Sequence, residues 1–128
     1  MAVRYAVRVN GMAAIAVTKL DVLDGFDELK VCTAYQRGSE IVTEMPSDSA
    51  QLAACTPIYE TLKGWSATTR GVTQFSDLPP QAREYIRALE VVSEVPVVLV
   101  STGSDRTHTI FREGTIADSW ATNREADV

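Results

Sequence analysis

This 128-residue sequence holds one histidine, two cysteines and seven scattered glycines, little of what catalytic and metal-binding chains usually display. A lone imidazole, His108 between Thr107 and Thr109, cannot build a metal cluster, and nothing around it marks it as a general base. Cys32 and Cys55 lack CxxC or Cys/His spacing, so both are expected as buried thiols rather than a disulfide or metal ligands. No glycine opens a G-x-x-x-x-G-K-[ST] loop, which leaves no visible grip for phosphates. Ser101 is not set in G-x-S-x-G, which excludes a nucleophile elbow. Asp21, Asp24 and Asp27 recur every third residue, unlike the alternate ligands of a calcium loop, and read as a polar loop. No apolar run approaches the ~20 residues of a membrane span, and no signal peptide opens the sequence, so a cytoplasmic location is expected. A net charge of −5 argues against nucleic acid or an anionic membrane as partner.

What is present suffices for one domain with a core. Residues 2–10 read as a helix, with Val3, Ala6 and Val7 on one stripe, Arg4 and Arg8 on another face, and Gly11 as its stop. The apolar run 13–17 extends to Leu20 as a buried strand. Residues 29–35 alternate with strand period, and a turn at 37–40 leads into a second strand over 41–45, giving a hairpin. Ser47 or Asp48 can cap a short helix ending near Cys55. Residues 57–62 read as extended and 64–76 as a loop anchored by Trp65, with Trp65 and Tyr59 expected in the core. The clearest helix follows Asp77-Leu78-Pro79-Pro80, with Asp77 as its cap and a stripe of Ala82, Tyr85, Ile86, Leu89 and Val92. Arg83, Glu84, Arg87 and Glu90 read as its solvated face. The run 96–100 is a short apolar strand of the kind covered on both faces in parallel sheets, and a last strand is expected over 107–111. The fold class is therefore α/β, a mixed and partly parallel sheet with helices packed on it.

Two strand ends carry chemistry. Thr18-Lys19-Leu20-Asp21 closes the first apolar run, and Ser101-Thr102-Gly103 closes the later one. A carboxylate such as Asp21 accepts both hydrogens that guanine presents on N1 and the exocyclic N2. Adenine offers no donors there and leaves the carboxylate unsatisfied. The Lys19 stem can cover a base while its ammonium stays in water. Ser101 to Gly103 can turn backbone N–H groups toward guanine O6, and ligands of parallel sheets gather beyond the carboxyl ends of strands. A solvated Lys and Asp beside an ordinary turn is the plain alternative.

Four stretches carry a resemblance. AVRVNGMAAIAVTKLDVLDGFDELKVCTAY (6–35), PIYETLKGW (57–65), DLPPQAREYIRALE (77–90) and VPVVLVSTGSDRTHTI (95–110) resemble, in order and at matching spacing, the C-terminal part of adenylosuccinate synthetase. The resemblance covers residues 2–110. It implies a C-terminal fragment of that P-loop-like fold, from a GTP-dependent ligase that joins inosine monophosphate to aspartate in purine biosynthesis. It also implies that Lys19, Leu20, Asp21, Ser101, Thr102 and Gly103 hold the guanine of GTP, with a weaker part for Ser104. Residues 1–110 are then a guanine-nucleotide-binding segment and 111–128 a divergent polar tail, unrelated or frayed.

The departures from that family also bear on function. Ser104 stands where the family has a proline that packs on guanine. Glu94 stands where it has glycine; a left-handed residue there costs roughly 1 kcal/mol more as Glu. Lys63 replaces a proline before Gly64-Trp65. The phosphate loop, catalytic Asp and His, metal ligands and arginine-rich aspartate loop of the family have no counterpart in these 128 residues. The expectation is a base-binding portion that is not catalytic by itself, partnered by the missing N-terminal portion or by its own copies. The alternative is a stand-alone, non-catalytic nucleotide-binding or interaction protein derived from that segment.

Overall fold

The computed structural model describes residues 1–120; the last part of the polar tail lies outside the described residues. Helix α1 (Ala2–Asn10) is stopped by Gly11, whose left-handed φ of 60° lets its N–H reach back to the Val7 carbonyl. Strand β1 (Ile15–Val17) leads into a 3-10 turn (Leu20–Leu23). Strands β2 (Glu28–Arg37) and β3 (Glu40–Val42) form the expected hairpin, with Tyr35 opposite Val42 and Arg37 opposite Glu40. Helix α2 (Ser49–Ala53) is capped by the Asp48 carboxylate, which accepts from the Ala50 N–H at 2.9 Å. Strand β4 (Thr56–Lys63), helix α3 (Pro80–Ser93), strand β5 (Val97–Ser101) and strand β6 (Thr109–Phe111) follow.

The six strands divide between two sheets. One, in the order β1-β5-β6, is mixed: β1 runs parallel to β5, and β6 antiparallel to it. The other, β3-β2-β4, is wholly antiparallel. Helix α3 joins them, touching β5 on one side, β2 and β4 on the other, and α1 as well. The α/β class is as expected, with the hairpin forming its own layer.

Leu20, Leu29, Trp65, Leu78, Ala82, Ile86, Val97, Val100 and Ile110 make the core. Burying a side chain such as Leu20, 1% exposed, contributes about 1.5–3 kcal/mol. That anchor fixes the start of the 3-10 turn directly after Lys19.

Several local expectations are corrected. Strand β1 is shorter than the run 13–20 and Ala16 is exposed, so only β5 is covered on both faces. Asp77 does not cap α3; it belongs to a 3-10 turn (Phe75–Asp77), and Pro79 occupies the cap position without a side-chain bond. Tyr59 is 53% exposed, because it lies on a β4 face that α3 does not cover, whereas Trp65 is buried. Cys32 and Cys55 are free and half-buried, each thiol donating to a backbone carbonyl nearby. Glu90 is not solvated: its carboxylate accepts from the Val97 N–H at 3.0 Å and pairs with Arg112 at 3.3 Å.

The start of the polar tail is packed, not frayed. Arg112 donates its N–H to the Val98 carbonyl, and its guanidinium lies 4.0 Å from the centre of the Phe75 ring. Ala117 is fully buried.

Glu94 ends α3 in the left-handed conformation, φ 64°. Its carboxylate meets Arg4 at 2.6 Å and Arg8 at 3.5 Å, and Glu44 pairs with both arginines. The residue that strains the helix end thus ties it to α1 and to the segment after β3.

Candidate functional site

The two motif-bearing strand ends lie side by side because β1 and β5 are parallel neighbours, with Val17 opposite Val100. Two residues past Val17 and one past Val100, the Lys19 N–H donates to the Ser101 hydroxyl at 3.0 Å. Lys19 itself is left-handed, φ 58°. A non-glycine residue held there costs about 1 kcal/mol or more, and such strain persists only where the surroundings fix it. Here the Leu20 anchor, the Ser101 bond and the Val22 N–H on the Lys19 carbonyl do so. The turn leaves Lys19 exposed and Asp21 half-buried at the first turn of the 3-10 segment.

The structure separates the expected site residues by what they can offer. The Lys19 backbone meets the Ser101 hydroxyl and Asp21 follows two residues on; Lys19 is exposed, and Asp21 and Ser101 are half-buried. The Leu20 side chain is in the core, so only its backbone can meet a ligand. Thr102 is fully buried; its N–H donates to the His108 carbonyl at 2.8 Å and its hydroxyl to the Val72 carbonyl at 2.8 Å. Gly103 is half-buried and Ser104 exposed.

Gly103 is required by His108. A Cβ on Gly103 would lie 2.5 Å from the His108 Nδ1, closer than real contacts allow, so the imidazole fills the space a side chain would need. Nδ1 is itself enclosed and without a hydrogen-bond partner. The hairpin between β5 and β6 is further shaped by Asp105, whose carboxylate accepts from the Thr107 N–H at 2.8 Å and hydroxyl at 2.7 Å. The Thr107 backbone bond, then its hydroxyl, hold the Asp105 carboxyl below the usual carboxylate range.

Asp24 was expected only as part of a polar loop; it is a hub. Its carboxylate accepts from the Trp65 Nε1–H at 2.6 Å, the Thr69 N–H at 2.7 Å and the Thr69 hydroxyl at 2.7 Å. In sequence, an Asp-Gly pair signals a turn, and residues 64–76 read as a loop. Neither signal reports that the two meet, because the partners are 41 and 45 residues apart. His108 gave no signal either.

The cavity of about 290 Å³ lined by Gln74–Ser76 and Phe111–Glu113 lies outside the two motif-bearing strand ends. So does an apolar one of about 530 Å³ lined by Ala13, Ala14, Pro96, Val98 and Gly114–Ile116. Among the described residues, no group of three His, Cys, Asp or Glu could hold a metal ion, and no helix is long and apolar enough to cross a membrane.

Comparison with known proteins bears on the family and the fold. The profile of the family described as adenylosuccinate synthetase matches residues 1–110. The adenylosuccinate synthetase of a Synechococcus strain is 48% identical over 113 residues, covering 88% of this chain and 25% of the relative. That of Coxiella burnetii is 43% identical over 113 residues, covering 88% and 26%. A structure described as fully ligated adenylosuccinate synthetase from Plasmodium falciparum superposes with a TM-score of 0.78 at 28% identity, covering 85% of this chain and 27% of that one. The chain thus spans about a quarter of the length of these relatives.

Proposed function

The chain belongs to the adenylosuccinate synthetase family, and from that premise we propose that it is the guanine-base-binding portion of such a GTP-dependent ligase. In this reading residues 1–110 form the nucleotide-binding segment and residues 111–128 a divergent tail. Asp21 accepts the guanine N1–H and N2–H hydrogens, Lys19 lies along the ring, and backbone from Ser101 to Gly103 meets O6. Leu20 and Thr102 act through their place in the chain, since both side chains are committed to the interior.

The observation that carries the proposal is the 3.0 Å bond from the Lys19 N–H to the Ser101 hydroxyl. It joins the turn that carries Asp21 to the loop after β5, Lys19 and Ser101 being 82 residues apart in sequence. Phosphoryl transfer needs a phosphate cradle and a metal. These 128 residues contain no glycine-rich loop to cradle phosphates. The chain therefore contributes recognition of the base, in the cytoplasm, to a ligation of inosine monophosphate with aspartate that other parts of the enzyme perform.

The rival, a stand-alone non-catalytic nucleotide-binding or interaction protein, would share the same pocket. Titration calorimetry with GTP, GDP, guanosine and ATP tests the proposal. Guanosine should bind nearly as well as GTP and ATP should not bind; equal affinity for ATP and GTP would overturn it.

A further inference from the structure

Thr69 and Thr102 are two fully buried polar residues that the base-binding reading leaves unexplained. Buried hydroxyls are costly unless bonded, and both are bonded: the Thr69 hydroxyl to Asp24 and the Thr102 hydroxyl to the Val72 carbonyl. From the end of the Lys19–Asp21 turn, the Asp24 carboxylate holds the Thr69 N–H and hydroxyl, each at 2.7 Å. The Thr69 carbonyl takes the Val72 N–H at 3.1 Å, closing a tight turn. The Val72 carbonyl then accepts the Thr102 hydroxyl at 2.8 Å, and the Gly71 N–H donates to the Thr102 carbonyl at 3.4 Å. One short turn, residues 69–72, therefore spans from the 3-10 segment to the loop after β5.

We infer that Thr69 is a positioning residue: through Asp24 on one side and Thr102 on the other, it sets the spacing of the two halves of the base site. This deepens the base-binding reading and rests on it. The strand register alone leaves that spacing free beyond Val17 and Val100, where the parallel pairing ends. Past that point the halves are joined directly by the single Lys19–Ser101 bond at an exposed position. A buried hydrogen-bonded brace behind them removes the freedom a surface bond cannot.

Amide hydrogen exchange on the unliganded full chain, with guanosine titration beside it, provides the test. Thr69→Val keeps the shape and removes the hydroxyl; Thr69→Ser restores it. In Thr69→Val the Lys19 amide should exchange at least fivefold faster relative to the Val100 amide, and Thr69→Ser should return it to the parent rate. Guanosine should bind Thr69→Val at least fivefold more weakly, with binding recovered in Thr69→Ser. Thr102→Val breaks the same brace from its other end and should reproduce the exchange change if Thr69→Val does not fold. Unchanged Lys19 exchange relative to Val100 in the variant that folds overturns the inference while the base pocket stands. Faster Lys19 exchange in Thr69→Val, together with a parent chain that binds no guanosine, upholds the brace and overturns the base-binding reading.

Discussion

The Lys19 N–H and the Ser101 hydroxyl stand 3.0 Å apart across the ends of two parallel strands. Ser101→Ala leaves the register intact and removes the acceptor. A neutral hydrogen bond is worth about 0.5–1.5 kcal/mol net, so guanosine affinity should fall by roughly two- to tenfold. Calorimetry on parent and variant reads the difference directly.

Asp21→Asn tests the carboxylate itself. It replaces a charge-assisted pair with a mismatched amide, which should cost about 2–3 kcal/mol, or roughly 30- to 150-fold in guanosine affinity. Thermal stability should change little, since Asp21 is only half-buried on a surface turn. Unaltered affinity in this variant would remove Asp21 from the site.

Gly103→Ala should destabilise the chain by about 1–3 kcal/mol, the usual cost of overpacking, because the new Cβ meets His108 Nδ1 at 2.5 Å. Adding His108→Ala makes room for the methyl and should recover part of that loss. Urea unfolding of the two single variants and the double variant measures the coupling.

Glu94→Gly removes a left-handed Glu at the end of α3 and, with it, the pairs to Arg4 and Arg8. Relief of the backbone is worth about 1 kcal/mol. The lost pairs are partly exposed, contributing about 0–1 kcal/mol, and are screened by salt. The variant should therefore gain stability at about 1 M salt and gain little or nothing at about 0.01 M. A gain independent of salt would mean the ion pairs contribute nothing.

Tyr85 carries a pH dependence. Burial raises its phenol pKa above the ordinary tyrosine value, so the folded state holds that proton more tightly than the unfolded chain. Its contribution is present below the ordinary tyrosine pKa and is lost as pH rises from there through the raised value. Tyr85→Phe should make stability less sensitive to pH in that alkaline range. The ring lies 6.2 Å from Trp65, whose fluorescence reports the transition.

How much the sequence discloses depends on the range of the interaction. Helix α1, its Gly11 stop, the long strand β2 and helix α3 follow from periodicity over neighbouring residues, and all four form where expected. The parallel pairing of the two motif-bearing strands also follows, from apolar runs and the helix between them. Long-range polar contacts do not. Glu90 reads as a solvated helix residue, yet its partners come from β5 and the segment after β6. Asp24 reads as a turn residue, yet its partners lie beyond β4. Side-chain chemistry alone is shared by a surface Asp and a structural one, and only the fold distinguishes them. The departure at Glu94 was legible as strain, but its pairing with α1 was not.

Amide chemical-shift mapping of the isotope-labelled chain against guanosine, with adenosine as control, tests base binding across the two strand ends. Guanosine should shift the amides of Lys19, Leu20 and Asp21 together with those of Ser101, Gly103 and Ser104, and adenosine should leave them in place. Shifts confined to one of the two segments, or equal shifts with adenosine, would contradict it.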